Sequence, residues 1–406
     1  MKIDQGIFLL TPNHISFISI SQISGGYKRP LHFTCAALIV GHILYALAYT
    51  ANFLYLILIG RMVNGLGLTM WMYSKRYCSS HLVGVRRRTM LAGWLVVGQA
   101  TGMSVGPFLG GAFYKIGFSN AVFNGFTSPA WIMAVVWLAF WVAVATLYEE
   151  EPPPQTSAQP LPAAPSDVES PLGILTPEEP GSKTSHTDAL HQLPSEPIPA
   201  TLASHAFRPS AMHLGVIVCM CWYAMTCFFI LGAWESNIPV FGASSQTTFH
   251  WSPFAAGNFI AIGGVVTFPF LFLNLRYARR TQDRYILVAG SGIGLAGLLI
   301  VLSLLSTHTI NWGSFFVTWC MVALGFNLAS TVTLSLLSKQ LPGSWNGRIS
   351  IAIQYSNYLG RVTGAVWGGS GVKVGMMEYV GFEVALTGVG VLMSLVLWRN
   401  LKAKTG

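Results

Sequence analysis

Gly98-Gln-Ala-Thr-Gly102-Met-Ser-Val-Gly106-Pro107-Phe-Leu-Gly110-Gly111 is a glycine-rich, proline-containing stretch set inside an apolar run. In water such a segment makes a poor helix. In a bilayer the same residues are useful, because glycines let two helices approach closely and neighbouring helices re-satisfy the backbone group that proline frees. The spacing returns near the other end of the chain, at Gly360-Arg-Val-Thr-Gly364-Ala-Val-Trp-Gly368-Gly369. An offset of 258 carries Gly102, Gly106, Gly110 and Gly111 onto Gly360, Gly364, Gly368 and Gly369. The chain therefore holds two related halves, and a lipid environment is where both glycine blocks make sense.

Composition agrees. Charged residues are 9% of the 406 positions and hydrophobic residues 52%, with a mean hydropathy of +0.54. A soluble domain carries roughly a quarter charged residues, so the pattern is that of a polytopic membrane protein. The net charge of +9 does not mark a nucleic-acid binder, because the bases fall in short gaps between apolar runs and form no stripe. Cys35, Cys219, Cys221, Cys227 and Cys320 lie within apolar spans, Cys78 lies outside them, and no C-x-x-C unit occurs. They read as small buried hydrophobes rather than disulfides or metal ligands. The amino terminus has no basic n-region or A-x-A-like site of a signal peptide.

A spanning helix needs about 20 apolar residues. That measure places spans at 31–51, 53–73, 91–113, 130–148, 213–233, 254–275, 285–305, 312–337, 349–372 and 379–399, with a doubtful eleventh at 7–24 broken by Pro12, Asn13 and His14. Residues 149–210 interrupt the series. They open with Glu149, Glu150 and Glu151 and hold 13 of the 21 prolines, with few aromatics and no hydrophobic period. This stretch is expected to be a disordered linker. The expected organisation is thus an incomplete helix bundle at 1–148, the linker at 149–210, a six-helix bundle at 211–400 and a tail at 401–406. Counting alternate gaps, one face receives 18 Lys and Arg, among them Arg86, Arg87, Arg88, Arg276, Arg284, Lys339 and Arg348; the other receives only Lys115 and Lys373. The positive-inside rule makes the basic face cytoplasmic, together with the linker and the carboxy terminus.

A second register of the repeat, with an offset of 260, sets Gly65 on Gly325 and Arg88 on Arg348. Each half then reads helix, basic loop, glycine-rich helix. Parallel repeats joined by a long cytoplasmic linker resemble the plan of the major facilitator superfamily. Gly98 through Gly111 is similar to that family's antiporter-type motif on its fifth helix, G-x-x-x-G-P-x-x-G-G. Arg61-Met-Val-Asn64-Gly65-Leu-Gly67 resembles the fourth-helix motif R-x-x-Q-G-x-G, with Asn in place of Gln. Gly26-Tyr-Lys28-Arg29 resembles the tail of the loop motif between helices two and three. A narrower similarity, through Arg61–Gly67, Arg88–Pro107, Phe126-Thr-Ser-Pro129 and Trp234-Glu235-Ser-Asn-Ile-Pro239, is to lysosomal ceroid-lipofuscinosis-type carriers and fungal relatives with appended phosphate-sensing domains. The resemblance implies an all-α membrane fold of two pseudo-repeated bundles, here with about 10–11 helices. It also implies that the first helix is missing, since Gly26-Tyr-Lys28-Arg29 would follow the second helix and residues 7–24 are a poor version of that second one; Ser21-Gln22-Ile23-Ser24 stands where the loop motif expects an acidic residue.

Four charged residues in or just beyond the spans carry candidate chemistry. Arg61 lies about nine residues, or about 13 Å, into its span, where an unpaired arginine costs at least about 2.5 kcal/mol. It reads either as an anion contact or proton-coupling control, with Asn64 beside it, or as a structural arginine bonded to helix carbonyls. Glu235 is the one carboxylate in the 213–233 span's continuation, and Pro239 is expected to mark the helix exit. It reads either as a proton carrier or as an interfacial residue meeting water. Arg361, roughly 19 Å into its helix, reads as a cavity charge or as a snorkelling arginine that serves packing. Glu383 is expected at the interface. Gly98, Gly102, Gly106, Pro107, Gly110 and Gly111 are expected to pack helices. Gly26, Lys28, Arg29 and Arg88 belong to the basic loops, where Arg86–Arg88 fix topology or hold a helix C-terminus.

No H-E-x-x-H, G-x-S-x-G, Walker loop or cysteine–histidine cluster occurs, so neither an enzyme, a metal, a cofactor nor ATP-driven transport is expected. The expected protein is a monomeric secondary transporter of a small solute, working by alternating access with protons as the coupling ion and the lipid bilayer as its partner. The other readings are an anion channel on the same scaffold and a non-transporting truncated remnant. The narrower similarity points to a vacuolar or lysosomal membrane.

Overall fold

Long apolar runs separated by short basic gaps leave the backbone one way to satisfy itself in lipid, which is helix after helix. The computed structural model describes residues 28–148 and 209–402, apart from position 54, the stretches 68–69, 71–73, 75–76 and 79–84, and positions 119, 246, 248, 279, 343 and 344. The doubtful span at 7–24, Gly26 and nearly all of the expected linker lie outside the described residues. Among those described, ten helices follow in order: α1 Lys28–Thr50, α2 Tyr55–Leu66, α3 Val85–Ile116, α4 Ser128–Leu147, α5 Ala211–Ala243, α6 Pro253–Tyr277, α7 Asp283–Ser306, α8 Trp312–Gln340, α9 Asn346–Val374 and α10 Met376–Val396. Each matches one expected span. Seven are long and apolar enough to cross a membrane; α3 and α9, which carry the glycine blocks, are 32 and 29 residues long but less apolar.

Local sequence sets several boundaries. Ser210 accepts the His213 amide at the start of α5, and Ser252 accepts that of Ala255 at the start of α6, with Pro253 in the first turn. Asn311 and Ser314 form a reciprocal capping box at α8. These side chains satisfy amides that have no intrahelical partner. One boundary was misread: α5 runs through Pro239 to Ala243. A proline removes one hydrogen bond from a helix, and burial among neighbouring helices tolerates that loss in a membrane protein.

Close packing is where the glycines act. On α9, a Cβ at Gly360, Gly364 or Gly368 would run into the α5 backbone at Met225, Phe229 and Ala233 respectively. Three successive turns of α9 thus lie directly on α5. Helices α7 and α8 meet in the same way, through Gly290, Gly294 and Gly325. The first half behaves differently. On α3 a Cβ at Gly98, Gly102, Gly106 or Gly110 meets no described atom within 4 Å. The motif packs through other positions: Gly111 abuts Phe254, the Pro107 carbonyl faces Gly257 of α6, and Ser104 meets Gly264. The α3–α6 crossing joins the two halves.

Adjacent glycines on α9 supply a sharp check. Gly368→Ala drives its new methyl into the Ala233 backbone and lowers stability by about 1–3 kcal/mol, the usual penalty of overpacking. Gly369→Ala, next along the chain and with nothing within 4 Å, is neutral or stabilising, since alanine is the better helix former. Thermal unfolding of the two purified variants in detergent measures both.

Candidate functional site

The halves enclose a cleft at mid-helix level, lined from α3 by Met103 and Ser104, from α5 by Glu235, from α6 by Thr267 and from α8 by Trp319 and Asn327. It is narrow, about 10 Å³, on the scale of a single water. The structure brings together two residues that the sequence reading treated separately. Arg361 of α9 reaches Glu235 of α5 with both guanidinium nitrogens, Nη2 to Oε2 at 2.5 Å and Nη1 to Oε1 at 3.3 Å. The side chains are 36% and 16% exposed, so the pair is not sealed in the core, and Glu235 lines the cleft. Arg361 Nη1 also lies 4.0 Å from the Met103 sulfur of α3, so the pair touches both halves. A two-pronged guanidinium–carboxylate contact is the strong form of this interaction. Glu235 and Arg361 are thus partners of one another.

Behind this pair stands a second carboxylate. Glu383 of α10, expected at the interface, is 0% exposed. Its position four residues past the expected span start suggested a wet end, but its side chain turns inward. Its Oε2 accepts the Trp234 indole N–H at 2.8 Å. Trp234 stacks in turn on Trp319, at 6.0 Å between ring centroids, and so connects Glu383 to the cleft wall.

A third cluster closes the end of the molecule assigned to the basic face. Asp283 opens α7 and its side chain is 0% exposed. Lys339, in the last turn of α8, donates to both its oxygens at 3.0 and 2.9 Å. Ser335 donates to Oδ2 at 3.0 Å. Thr89, in the first turns of α3, donates to Oδ1 at 3.3 Å and receives a bond from Lys339 at 2.7 Å. Beside it Arg88 donates to the Ser338 carbonyl at 2.8 Å, a cation at a helix C-terminus where the dipole favours it. The first half is thereby tied to the second through one buried carboxylate. Of these residues the sequence pointed only to Arg88; Asp283 was readable as the one acidic residue in a gap holding Arg276, Arg279, Arg280 and Arg284.

The other expected residues lie elsewhere. Arg61 on α2 sits over the Tyr45 ring of α1 at 5.1 Å and is exposed among the described residues. Asn64 packs where Gly41 of α1 leaves room. No contact among the described residues joins either to the Glu235–Arg361 pair. Lys28 and Arg29 open α1.

Breaking the buried pair on one side separates its contributions. Lys339→Met strands the Asp283 charge and lowers folding stability by about 3–5 kcal/mol. Asp283→Leu combined with Lys339→Met removes both charges and recovers most of that loss. Denaturant titration of both variants, followed by tryptophan fluorescence, reads the difference.

The sequence profile of the Major Facilitator Superfamily matches residues 19–365. An uncharacterized MFS-type transporter of Schizosaccharomyces pombe is 27% identical over 383 residues, which is 94% of this chain and 69% of that protein. An SPX domain-containing membrane protein of Arabidopsis thaliana is 28% identical over 343 residues, covering 79% of this chain and 47% of its own length. Two solved structures share the fold. One is the MFS transporter FucP in its outward conformation, with a TM-score of 0.56 at 14% identity over 98% of this chain and 92% of that one. The other is the human organic anion transporter MFSD10 (TETRAN), with 0.54 at 13% identity over 95% and 86%. The chain is an integral, multi-pass membrane protein and belongs to the Major Facilitator Superfamily, a family of transporters and not of enzymes.

Proposed function

We propose that this protein carries a small organic anion across a membrane by alternating access, and that the anion competes with the Glu235 carboxylate for Arg361, so that a proton on Glu235 favours anion binding. The pair's position carries this reading: Glu235 lines the cleft between the halves with Arg361 bonded to it, and a charge inside a membrane span is functional by default. While Glu235 is ionised it occupies the Arg361 guanidinium. Once Glu235 takes a proton, Arg361 is left with five donors in a planar fork suited to a carboxylate or phosphate. Proton uptake and anion uptake are thus linked at one arginine.

The Asp283 cluster supports a state closed on the basic face, as one bundle rocks against the other. The base count supports a cytoplasmic location for that face, the linker and the carboxy terminus. The narrower family resemblance favours a vacuolar or lysosomal membrane. Arg61 and Asn64 are proposed as a second polar position along the path, and the glycine motif on α3 as a packing and bending element.

Reconstituted vesicles test the proposal. In a panel of radiolabelled small carboxylates, uptake of at least one is accelerated by an imposed pH gradient. Glu235→Gln removes the acceleration and leaves exchange at symmetrical pH. Arg361→Gln abolishes both. A gradient-independent anion current that survives both substitutions contradicts the carrier reading and establishes a channel.

A further inference from the structure

Glu383 and its surroundings form a site that the Glu235–Arg361 exchange does not use. Its side chain is fully buried, and neither ion pair found among the described residues includes it. An ionised carboxylate there has no cation to offset its desolvation, a penalty of several kcal/mol. Its partners are instead hydrogen-bonding groups. Trp234 donates to Oε2, and the carboxyl's other polar neighbour is the Tyr379 hydroxyl, itself 1% exposed. A buried carboxyl and a buried phenol side by side in an apolar interior satisfy each other only by sharing a hydrogen. A protonated Glu383 donates through Oε1 to the Tyr379 oxygen; an ionised one accepts from the Tyr379 hydroxyl. In either state both carboxyl oxygens are hydrogen-bonded, with the Trp234 bond kept throughout.

We propose that Glu383 is a proton-binding site of this protein, built from Glu383, Tyr379 and the Trp234 indole, one stacked ring away from the central cleft. The charged and titratable groups on the helices around it leave it isolated. On α5, Glu235 is engaged by Arg361 of α9, and Tyr223 bonds Ser394, about three turns further along α10. On α9, Lys373 lies in the last turn. On α7, Asp283 and Arg284 sit at the opposite end, where Arg284 stacks on Trp398. On α10 itself, Glu378 turns towards Gly375. The inference concerns proton binding alone and does not rest on the transport proposal.

A glutamine at this position is the discriminating variant, because its carbonyl oxygen still accepts from Trp234 but cannot titrate. Infrared difference spectra of substrate-free protein in lipid nanodiscs, recorded between acid and alkaline pH, are expected to show a protonated-carboxyl C=O band that disappears as pH rises. Glu383→Gln loses that band; Glu235→Gln retains it. Trp234→Phe, which removes the indole donor, shifts the pH at which the band disappears and serves if Glu383→Gln does not fold. A Glu383→Gln spectrum that superimposes on the wild type, or a Trp234→Phe midpoint that does not move, overturns the proposal. A pH gradient that drives no uptake in vesicles refutes the transport reading and leaves this band in place.

Discussion

One carboxylate with no access to water, Asp283, holds the two halves together at the basic face. Burying a charge is favourable only when a counter-charge and further hydrogen bonds meet it. Here Lys339 supplies the charge and Ser335 and Thr89 supply the bonds. Because Thr89 belongs to the first half and the others to the second, the carboxylate is fully satisfied only while the halves touch. The energetic need of one buried group thereby becomes a conformational preference. In the proposed cycle, opening this end would expose Asp283 and Lys339 to water, which would hydrate both and leave the cluster a preference and not a permanent lock.

The glycine blocks show why a repeated sequence need not do repeated work. On α9 the three glycines at spacings of four receive the α5 backbone, and the ion pair between Arg361 and Glu235 joins the same two helices. Arg361 lies one residue past Gly360, so the close approach that glycine permits also sets the guanidinium within reach of the carboxylate. Without that approach the arginine would need another partner. On α3 the corresponding glycines have no described neighbour, and the helix is held instead by its other face, where Ser104 meets Gly264 and Pro107 meets Gly257 of α6.

Much of the fold was legible because lipid imposes it: apolar run length gave each helix, and the offset between glycine blocks gave the duplication. What could not be read was direction. Glu383 lies near the start of its span, which suggested water, yet the helix turns that position onto Trp234. Pro239 suggested an end, yet α5 continues for another turn in protein surroundings that absorb the missing bond. Asp283 and Lys339 are 56 residues apart, and Thr89 and Lys339 are 250 apart; no periodicity links such pairs. Arg88 was the exception, since a cation in a basic loop has few uses beyond topology and a helix end, and it serves the helix end. Arg361 and Glu235 were each singled out for being charged within a span, but only the packing of α9 on α5 shows that they answer one another.

Distance distributions across the basic face test the role of Asp283 most directly. Spin labels at Arg87→Cys and Tyr285→Cys, in a background with the native cysteines replaced, would sit on α3 and α7 at either side of the cluster. If Asp283 holds the halves together, the parent protein in lipid gives one short, narrow distance. Adding Asp283→Leu and Lys339→Met then produces a longer, broader population. An unchanged distribution after both substitutions would mean that apolar packing alone keeps this end shut.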